Sequence, residues 1–473
     1  MCALAELMHN MGVKVSGSDT TEVFYTDTIL KELQIPYFES FEASHISSGG
    51  EKPDLVINSA AYSFETNAEI AAAQKMGIPV LKFSDALGAY SASFDSSAIA
   101  GVHGKTTTTA LTGTLLRGIK APAQILVGSA VSAFGDRSTL SMGKKYFIAE
   151  TCEYKRHFLS FCPRRIIITS IESDHQDYYP TYNDILLAFM EFGRKLPENG
   201  ELIYCADDSG ASEAALALQK ERPTIKLIPY GFSAEGDYGI THYEVKNERI
   251  IMRIRFFQGE LKLQVPGRHT ALNAAAALAL VSSIVKQEYG NEGNESWNDE
   301  RREGVKKALE EFRGSRRRSE IYGEKAGILF MDDYGHHPTA IKTTLEGLRE
   351  FYPNRRIILS FMSHTYTRTA ALLEEFAASF KTADILLFHK IYSSAREKYS
   401  GGVTGRTLFE KVKSLSGGSG GVFFEEEPDD AFQLMKSVLK PGDLFITMGA
   451  GSNWTLGKKL FLYYNEKDGG NIK

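Results

Sequence analysis

Ala100-Gly101-Val102-His103-Gly104-Lys105-Thr106-Thr107-Thr108-Thr109 decides the fold class, because a glycine-bearing turn here joins an apolar strand to a helix. Ser96 to Val102 reads as a short buried strand, and Thr106 to Leu116 reads as a helix. The N–H groups of such a helix start, with the positive end of its dipole, converge on one anion. Lys105 adds a point charge suited to phosphates, and the Thr106 hydroxyl is suited to Mg2+. The spacing departs from G-x-x-x-x-G-K-[ST], since Ile99 stands where the first glycine should be. A compressed loop of this kind points to a specialised ATP-binding family. The competing account is a Gly/Thr-rich helix start with no ligand.

Length and composition set the frame. A chain of 473 residues exceeds what one hydrophobic core serves, so two or three domains are expected. The formal charge of −5 gives no general footprint for nucleic acid or an anionic membrane, so an anionic ligand must be met by local basic groups. Neither nucleic acid nor membrane is expected as a partner, and a monomer or homodimer is. Cys2, Cys152, Cys162 and Cys205 show neither metal-ligand spacing nor a disulfide framework, which makes a reducing cytoplasm the expected location. No apolar run of about 18 residues and no signal-peptide pattern stands out.

Working outward from the loop, the chain divides into three expected domains, residues 1–93, 94–313 and 314–473. In the first, strand-like stretches at 14–16, 54–58 and 78–82 alternate with helical ones, an open α/β layout with parallel strands. Its beginning is unusual: Met1 opens directly into a helix with Leu4, Leu7, Met8 and Met11 on one face, as though a strand and turn belonged before it. The second domain has strands expected at 145–151, 164–171 and 201–206. Antiparallel hairpins come next over 243–265, then an Ala-rich helix over 271–286 and a polar exposed loop over 287–302. The third alternates strands at 327–333, 356–362, 384–389, 422–425 and 443–448 with helices, a doubly wound pattern; Ser416 to Gly421 reads as a flexible loop.

Several strand ends carry chemistry. Glu150 closes the strand Tyr146-Phe-Ile-Ala149, where open α/β sheets place ligand groups, although a surface carboxylate fits the same position. Ile171-Glu172-Ser173-Asp174-His175-Gln176-Asp177 puts an imidazole beside carboxylates, able to ligate a cation or touch phosphate; a structural histidine is the alternative. Together, strand ends bearing Lys/Thr, Glu and His make a Mg-ATP site with two cation positions. In Pro266-Gly267-Arg268-His269-Thr270-Ala271-Leu272-Asn273, His269 and Asn273 lie one helical turn apart; capping by Thr270 beside an exposed asparagine competes with a binding role. Arg316-Arg317-Arg318 fits a charged surface, whereas Asp332-Asp333-Tyr334-Gly335-His336-His337-Pro338 at a strand end demands a reason.

These motifs in this order, A-G-V-H-G-K-T-T-T-T, Glu150, I-E-S-D-H, P-G-R-H-T-A-L-N, R-R and D-D-Y-G-H-H-P, resemble the Mur ligases of peptidoglycan synthesis. Val15-Ser-Gly-Ser-Asp19, Ser363-His-Thr-Tyr-Thr-Arg-Thr369 and Thr447-Met-Gly-Ala-Gly451 extend the resemblance over essentially the whole chain. It implies an α/β enzyme of three domains: an N-terminal Rossmann-like domain lacking its first strand, a central P-loop ATPase-type domain with antiparallel hairpins, and a C-terminal Rossmann-like domain that admits the amino acid.

The D-D-Y-G-H-H-P and G-x-H-G-K-T-T-T forms are most similar to the branch that joins L-alanine to UDP-N-acetylmuramate, using ATP and Mg2+. The resemblance implies that Gly101, His103, Gly104, Lys105, Thr106 and Thr107 surround the ATP phosphates. Thr106 and Glu150 would bind Mg2+, and His175 would support a second cation. His269 and Asn273 would lie near the adenine, while Arg318 and Asp333 would reach ATP. Ser18, Asp19, Ser59, His336, His364 and Arg368 would contact the other substrates. The sugar carboxylate would attack the γ-phosphate, and the amine would then displace phosphate from the acyl phosphate.

The chain also departs from the family pattern. The glycine-rich turn that grips the UDP pyrophosphate is expected upstream of Met1, which suggests a misplaced start. An E-A-D-E-S-D motif reads Glu150-Thr-Cys-Glu153-Tyr-Lys155, Thr270 replaces an asparagine, and Ser452-Asn453 replaces Asp-Ile. Two other readings stay open: a ligase that recycles a preformed tripeptide onto the same sugar nucleotide, and a truncated nucleotide-binding protein without turnover.

Overall fold

A computed structural model describes residues 1–22, 25–47, 50–290, 296–393, 401–415 and 421–469. Two compact units emerge. One comprises Met1–Gly239 with Ala274–Ala308, the other Ile240–Asn273 with Leu309–Lys473.

The first unit opens with α1 (Cys2–Asn10), which buries Leu4 and Leu7. The expected strand at 14–16 lies instead at β1 (Gly17–Ser18), because the ladder begins where the chain meets a neighbour. After α2 (Tyr25–Glu32), β2 (Tyr37–Phe38) pairs with β1 in parallel. β3 (Val56–Asn58), α3 (Ala68–Lys75), β4 (Val80–Lys82) and α4 (Phe83–Ala92) come after it. β3 and β4 form a second parallel pair, so this region holds two short ladders where the sequence suggested one open layout. The Arg137 guanidinium clasps Glu6 of α1 and lies 2.6 Å from Glu32 of α2, fastening both helices to the strand that Arg137 opens.

The central sheet uses β5 (Asp95–Ala100), β6 (Ala123–Val131), β7 (Arg137–Ser141), β8 (Tyr146–Glu150), β9 (Arg165–Ile168), β10 (Glu201–Cys205) and β11 (Lys226–Gly231). Their spatial order is β11-β10-β9-β5-β8-β6-β7, parallel throughout except for the edge strand β7. Helices cover such a sheet on both faces, which is why Phe147-Ile-Ala149 and Ile166-Ile-Ile168 are unbroken apolar runs of zero exposure. The helix after the glycine turn, α5 (Lys105–Gly118), is almost wholly buried despite six threonines. Thr109, Thr112 and Thr114 donate their hydroxyls to the carbonyls of Lys105, Thr108 and Ala110, each at 2.8 Å, so these polar groups enter the core satisfied.

In the second unit, β12 (Tyr238–Val245, from Ile240 onward), β13 (Ile250–Ile254) and β14 (Leu261–Leu263) form the expected antiparallel meander. The Ala-rich helix runs farther than its composition suggested, as Arg268–Tyr289, with residues up to Asn273 assigned to the second unit and those from Ala274 to the first. It is long and apolar enough to span a bilayer, but 83% of its most apolar window is buried inside the protein. The loop expected over 287–302 is therefore shorter. Residues 287–289 end this helix, Trp297 is buried with its indole N–H 3.3 Å from Ser282 Oγ, and another helix spans Asp299–Glu311. Residues 291–295, and residues 416–420 of the loop expected over 416–421, lie outside the described residues.

The C-terminal sheet contains β15 (Glu320–Lys325), β16 (Ile328–Asp333), β17 (Arg356–Met362), β18 (Ile385–Phe388), β19 (Val422–Phe424) and β20 (Asp443–Gly449), in the order β15-β16-β20-β17-β18-β19. The five anticipated strands are parallel, and β15 adds an antiparallel edge. Glu-Ile-Tyr-Gly-Glu-Lys lacks the apolar run that a central strand needs, so only its neighbour reveals it.

Two buried groups set measurable stabilities. Arg137→Ala leaves the buried Glu6 carboxylate without its cation and should cost roughly 3 kcal/mol in urea unfolding; an unchanged midpoint would contradict the clasp. In the C-terminal sheet, the His389 ring nitrogens meet Ser360 Oγ and the Glu425 carbonyl, each at 2.9 Å, and burial pushes its pKa down to about 4. A histidine depressed in the fold is protonated first in the unfolded chain. Its contribution is therefore complete above about pH 6.5 and erodes towards pH 4, by about 2 to 3 kcal/mol. Melts of wild type and His389→Gln across that window should show a shallower acid loss in the variant.

Candidate active site

In the first unit β5 is flanked by β8 on one side and β9 on the other, and the chain leaves it first towards β6 and later towards β9. Such a reversal marks the carboxyl ends of β5, β8 and β9 as the place where open α/β sheets form a ligand crevice. Residues 101–104 connect the end of β5 to α5 at this point. Gly101 has φ +139°, and a Cβ there would lie 2.0 Å from Thr169 Oγ1, so only glycine lets the loop pass the β9 end. Gly104, at φ +80°, turns the chain into α5.

The remaining loop residues are tied to the β9 end. His103 N–H donates to Ser170 Oγ at 2.9 Å, the Thr169 hydroxyl donates to the Ala100 carbonyl at 3.1 Å and to the His103 carbonyl, and the His103 ring pairs with Glu172. Thr106, buried, donates to Glu150 Oε1 at 3.0 Å, while Gly128 N–H donates to Glu150 Oε2 at 2.7 Å. Thr107 sits half-buried in the same first turn. A hydroxyl and a carboxylate side by side form an all-oxygen donor pair, the kind a hard cation such as Mg2+ takes. His175, at φ +52°, places Nε2 3.4 Å from Glu153 Oε1.

Glu153 is the residue that the sequence reading passed over as a site residue. Its carboxylate oxygens lie 3.2 and 3.0 Å from Lys105 Nζ, and its side chain is 3% exposed. Burial favours the neutral form of each partner, yet Glu153 and Glu150 outweigh it and raise the Lys105 pKa. Lys105 and His175 likewise outweigh it at Glu153 and lower that pKa. The signal was available: a second glutamate three residues past a strand-end glutamate stays near the same crevice.

The N-terminal candidates lie apart from this crevice's contacts. Ser18 Oγ donates to Glu69 Oε1 at 2.6 Å, beside His45, whose ring stacks on Phe38 at 3.9 Å. Asp19 accepts Thr20 N–H at 2.8 Å, and Ser59 Oγ accepts Ala61 N–H at 3.3 Å.

In the second unit the ends of β16, β17 and β20 gather most of the remaining candidates. His336 and His364 meet edge to face at 5.5 Å, Arg368 Nη1 lies 3.4 Å from His364 Nδ1, and Arg318 lies 5.1 Å from the Tyr334 ring centre. The aspartate pair now has its reason. Asp332, with no exposure, binds Arg317 Nε at 2.9 Å and the Thr447 hydroxyl at 2.6 Å; burial, only partly offset by Arg317, raises its pKa to about 6. Asp333 accepts Ser319 N–H and Gly335 N–H, each at 2.7 Å, so both oxygens fix the turns around the strand end. His269 and Asn273 lie in the first turns of the Arg268–Tyr289 helix, where Thr270 Oγ1 donates to the Pro266 carbonyl at 2.8 Å.

Comparison with known proteins is consistent along the chain. Family models match as the Mur ligase family catalytic domain over residues 1–95, the Mur ligase middle domain over 99–281 and the Mur ligase glutamate ligase domain over 317–451. The UDP-N-acetylmuramate--L-alanine ligase of Treponema pallidum (strain Nichols) is 49% identical, the alignment covering 99% of this chain and 95% of that protein. The protein of the same name from Borreliella burgdorferi is 35% identical, with 96% and 95% covered. Among solved structures, the UDP-N-acetylmuramate-alanine ligase of Thermotoga maritima aligns with a TM-score of 0.74 at 24% identity, covering 99% of this chain and 97% of that one. A murein peptide ligase from Psychrobacter arcticus aligns at 0.63 and 22%, with 100% and 96% covered. These two structures share the fold; the full-length identity to the treponemal protein goes further, and the chain belongs to the Mur ligase family.

Proposed function

We propose that this protein is an ATP-dependent ligase that joins L-alanine to UDP-N-acetylmuramate in cytoplasmic peptidoglycan precursor synthesis. The carrying observation is that Thr106 donates to Glu150 while Lys105 and His175 both meet Glu153, in a chain 49% identical, over 99% of its length, to an alanine ligase. The functional division runs along the sequence: 1–93 for the sugar nucleotide, 94–313 for ATP and 314–473 for the amino acid and for Arg318 and Asp333 acting on ATP.

The chemistry explains the charges. A carboxylate approaching a γ-phosphate brings two anions together, so stabilisation must come from fixed positive groups at the oxygens where charge develops. Lys105 and the N–H groups at the start of α5 supply it from the protein. Thr106 and Glu150 would hold Mg2+, which neutralises phosphate charge when bound. The resulting acyl phosphate would be attacked by the L-alanine amine, with phosphate leaving. His336, His364 and Arg368 form a basic strand-end cluster suited to the amino-acid carboxylate.

Purified protein should release phosphate from ATP only when UDP-N-acetylmuramate and L-alanine are both present, with L-alanine preferred over a preformed tripeptide. Release that ignores both substrates would overturn the reading. Lys105→Met and Glu150→Gln should each lower kcat at least about 100-fold, by removing a group preorganised for the transition state. Circular dichroism would verify their fold, and a fully active Lys105→Met would reject the phosphate role.

A further inference from the structure

Glu153 carries the least expected arrangement in the crevice. The Lys105 ammonium is folded back over its own loop, donating to the Gly101 carbonyl, to the Val102 carbonyl at 3.3 Å and to Glu153. An ammonium has three donors, so this set occupies it fully. Glu153 is itself held firmly: its carbonyl accepts the Tyr179 hydroxyl at 2.6 Å and Arg156 N–H at 2.8 Å, and Lys155 and Arg156 come next in left-handed conformations at φ +52° and +60°.

We propose that Glu153 is a positioning residue that parks Lys105 when no nucleotide is bound, and that the nucleotide's phosphates compete with this carboxylate for the ammonium. The inference rests on the reading of Lys105 as a phosphate group's partner. Its physical basis is that two anions, one of them 3% exposed, contend for one cation at close range in a poorly solvated site. A ligand bearing several phosphate charges displaces Glu153 more readily than one bearing a single phosphate. His175 Nε2, 3.4 Å from Glu153 Oε1, then remains as the neighbour of the released carboxylate. The pair thus orders the lysine against its own loop and makes its release depend on the polyphosphate.

The test is calorimetric titration of the full chain with ADP, and with AMP, whose single phosphate makes it the control, without added metal. Glu153→Gln should bind ADP about tenfold more tightly than wild type, with a smaller change for AMP. Its melting temperature should fall without ligand and rise further on ADP saturation than that of wild type, a pattern that a merely structural role would not produce. Glu153→Asp, which keeps the charge, should stay within about threefold of wild type. If the amide variant does not fold, Glu153→Ala should show the same tightening. Equal or weaker ADP binding by the neutral variants, or an aspartate variant that behaves like them, would overturn the proposal. Lys105→Met separates the two failures: if it binds ADP like wild type, the phosphate reading itself is wrong, whereas lost binding beside an unaltered Glu153→Gln condemns the competition alone.

Discussion

Parallel pairing of β5 between β8 and β9 is the constraint from which the geometry of the candidate site descends. Those ladders align Ile99 with Glu150 and Ala100 with Ile168, so three chain segments more than 60 residues apart overall end at one level. Each then hands its next residues to the same crevice. A one-residue slip in either ladder would turn the side chains of that strand to the opposite face. Thr106 would then lose Glu150, and the glycine loop would lose the Thr169–Ser170 shelf it leans on.

The crevice is also where the fold tolerates its costliest groups. Lys105 and Glu153 are charges removed from water, and each persists because the other is within 3.0 Å and further polar groups complete the set. The C-terminal sheet repeats the arrangement at its own strand ends. There Asp332 is neutralised by Arg317, which donates in turn to the Gly449 carbonyl at 2.6 Å, linking the ends of β16 and β20. Carboxylates at the ends of parallel strands make two kinds of contact in this protein: some meet the side chains that open α5, and others hold the turns beside their strand.

Much of this was legible from residues alone because the signals are local. Short apolar runs marked β5, β8, β9 and the five parallel strands of the C-terminal sheet, and Gly-Lys-Thr marked the helix start. Glu150 and His175 were legible as strand-end groups. What escaped was contextual. β6 and β7 lie in a stretch whose pattern was not read as strand, and β15 shows itself only through its pairing with β16. The polar stretch after the Ala-rich helix concealed Trp297, whose burial depends on Ser282 and its surroundings.

The sequence by itself determined most of the core strands, the glycine loop that opens α5 and the family, because backbone conformation and motif spacing are written in neighbouring residues. Only the tertiary structure decided which charge faces which. That Glu153 takes Lys105 while Glu150 takes Thr106, and that Asp333 spends both oxygens on backbone N–H groups, is the result of strand order and loop path. The energy of an ion pair depends on separations of a few ångströms and on exclusion of water, and neither quantity exists until the chain has folded.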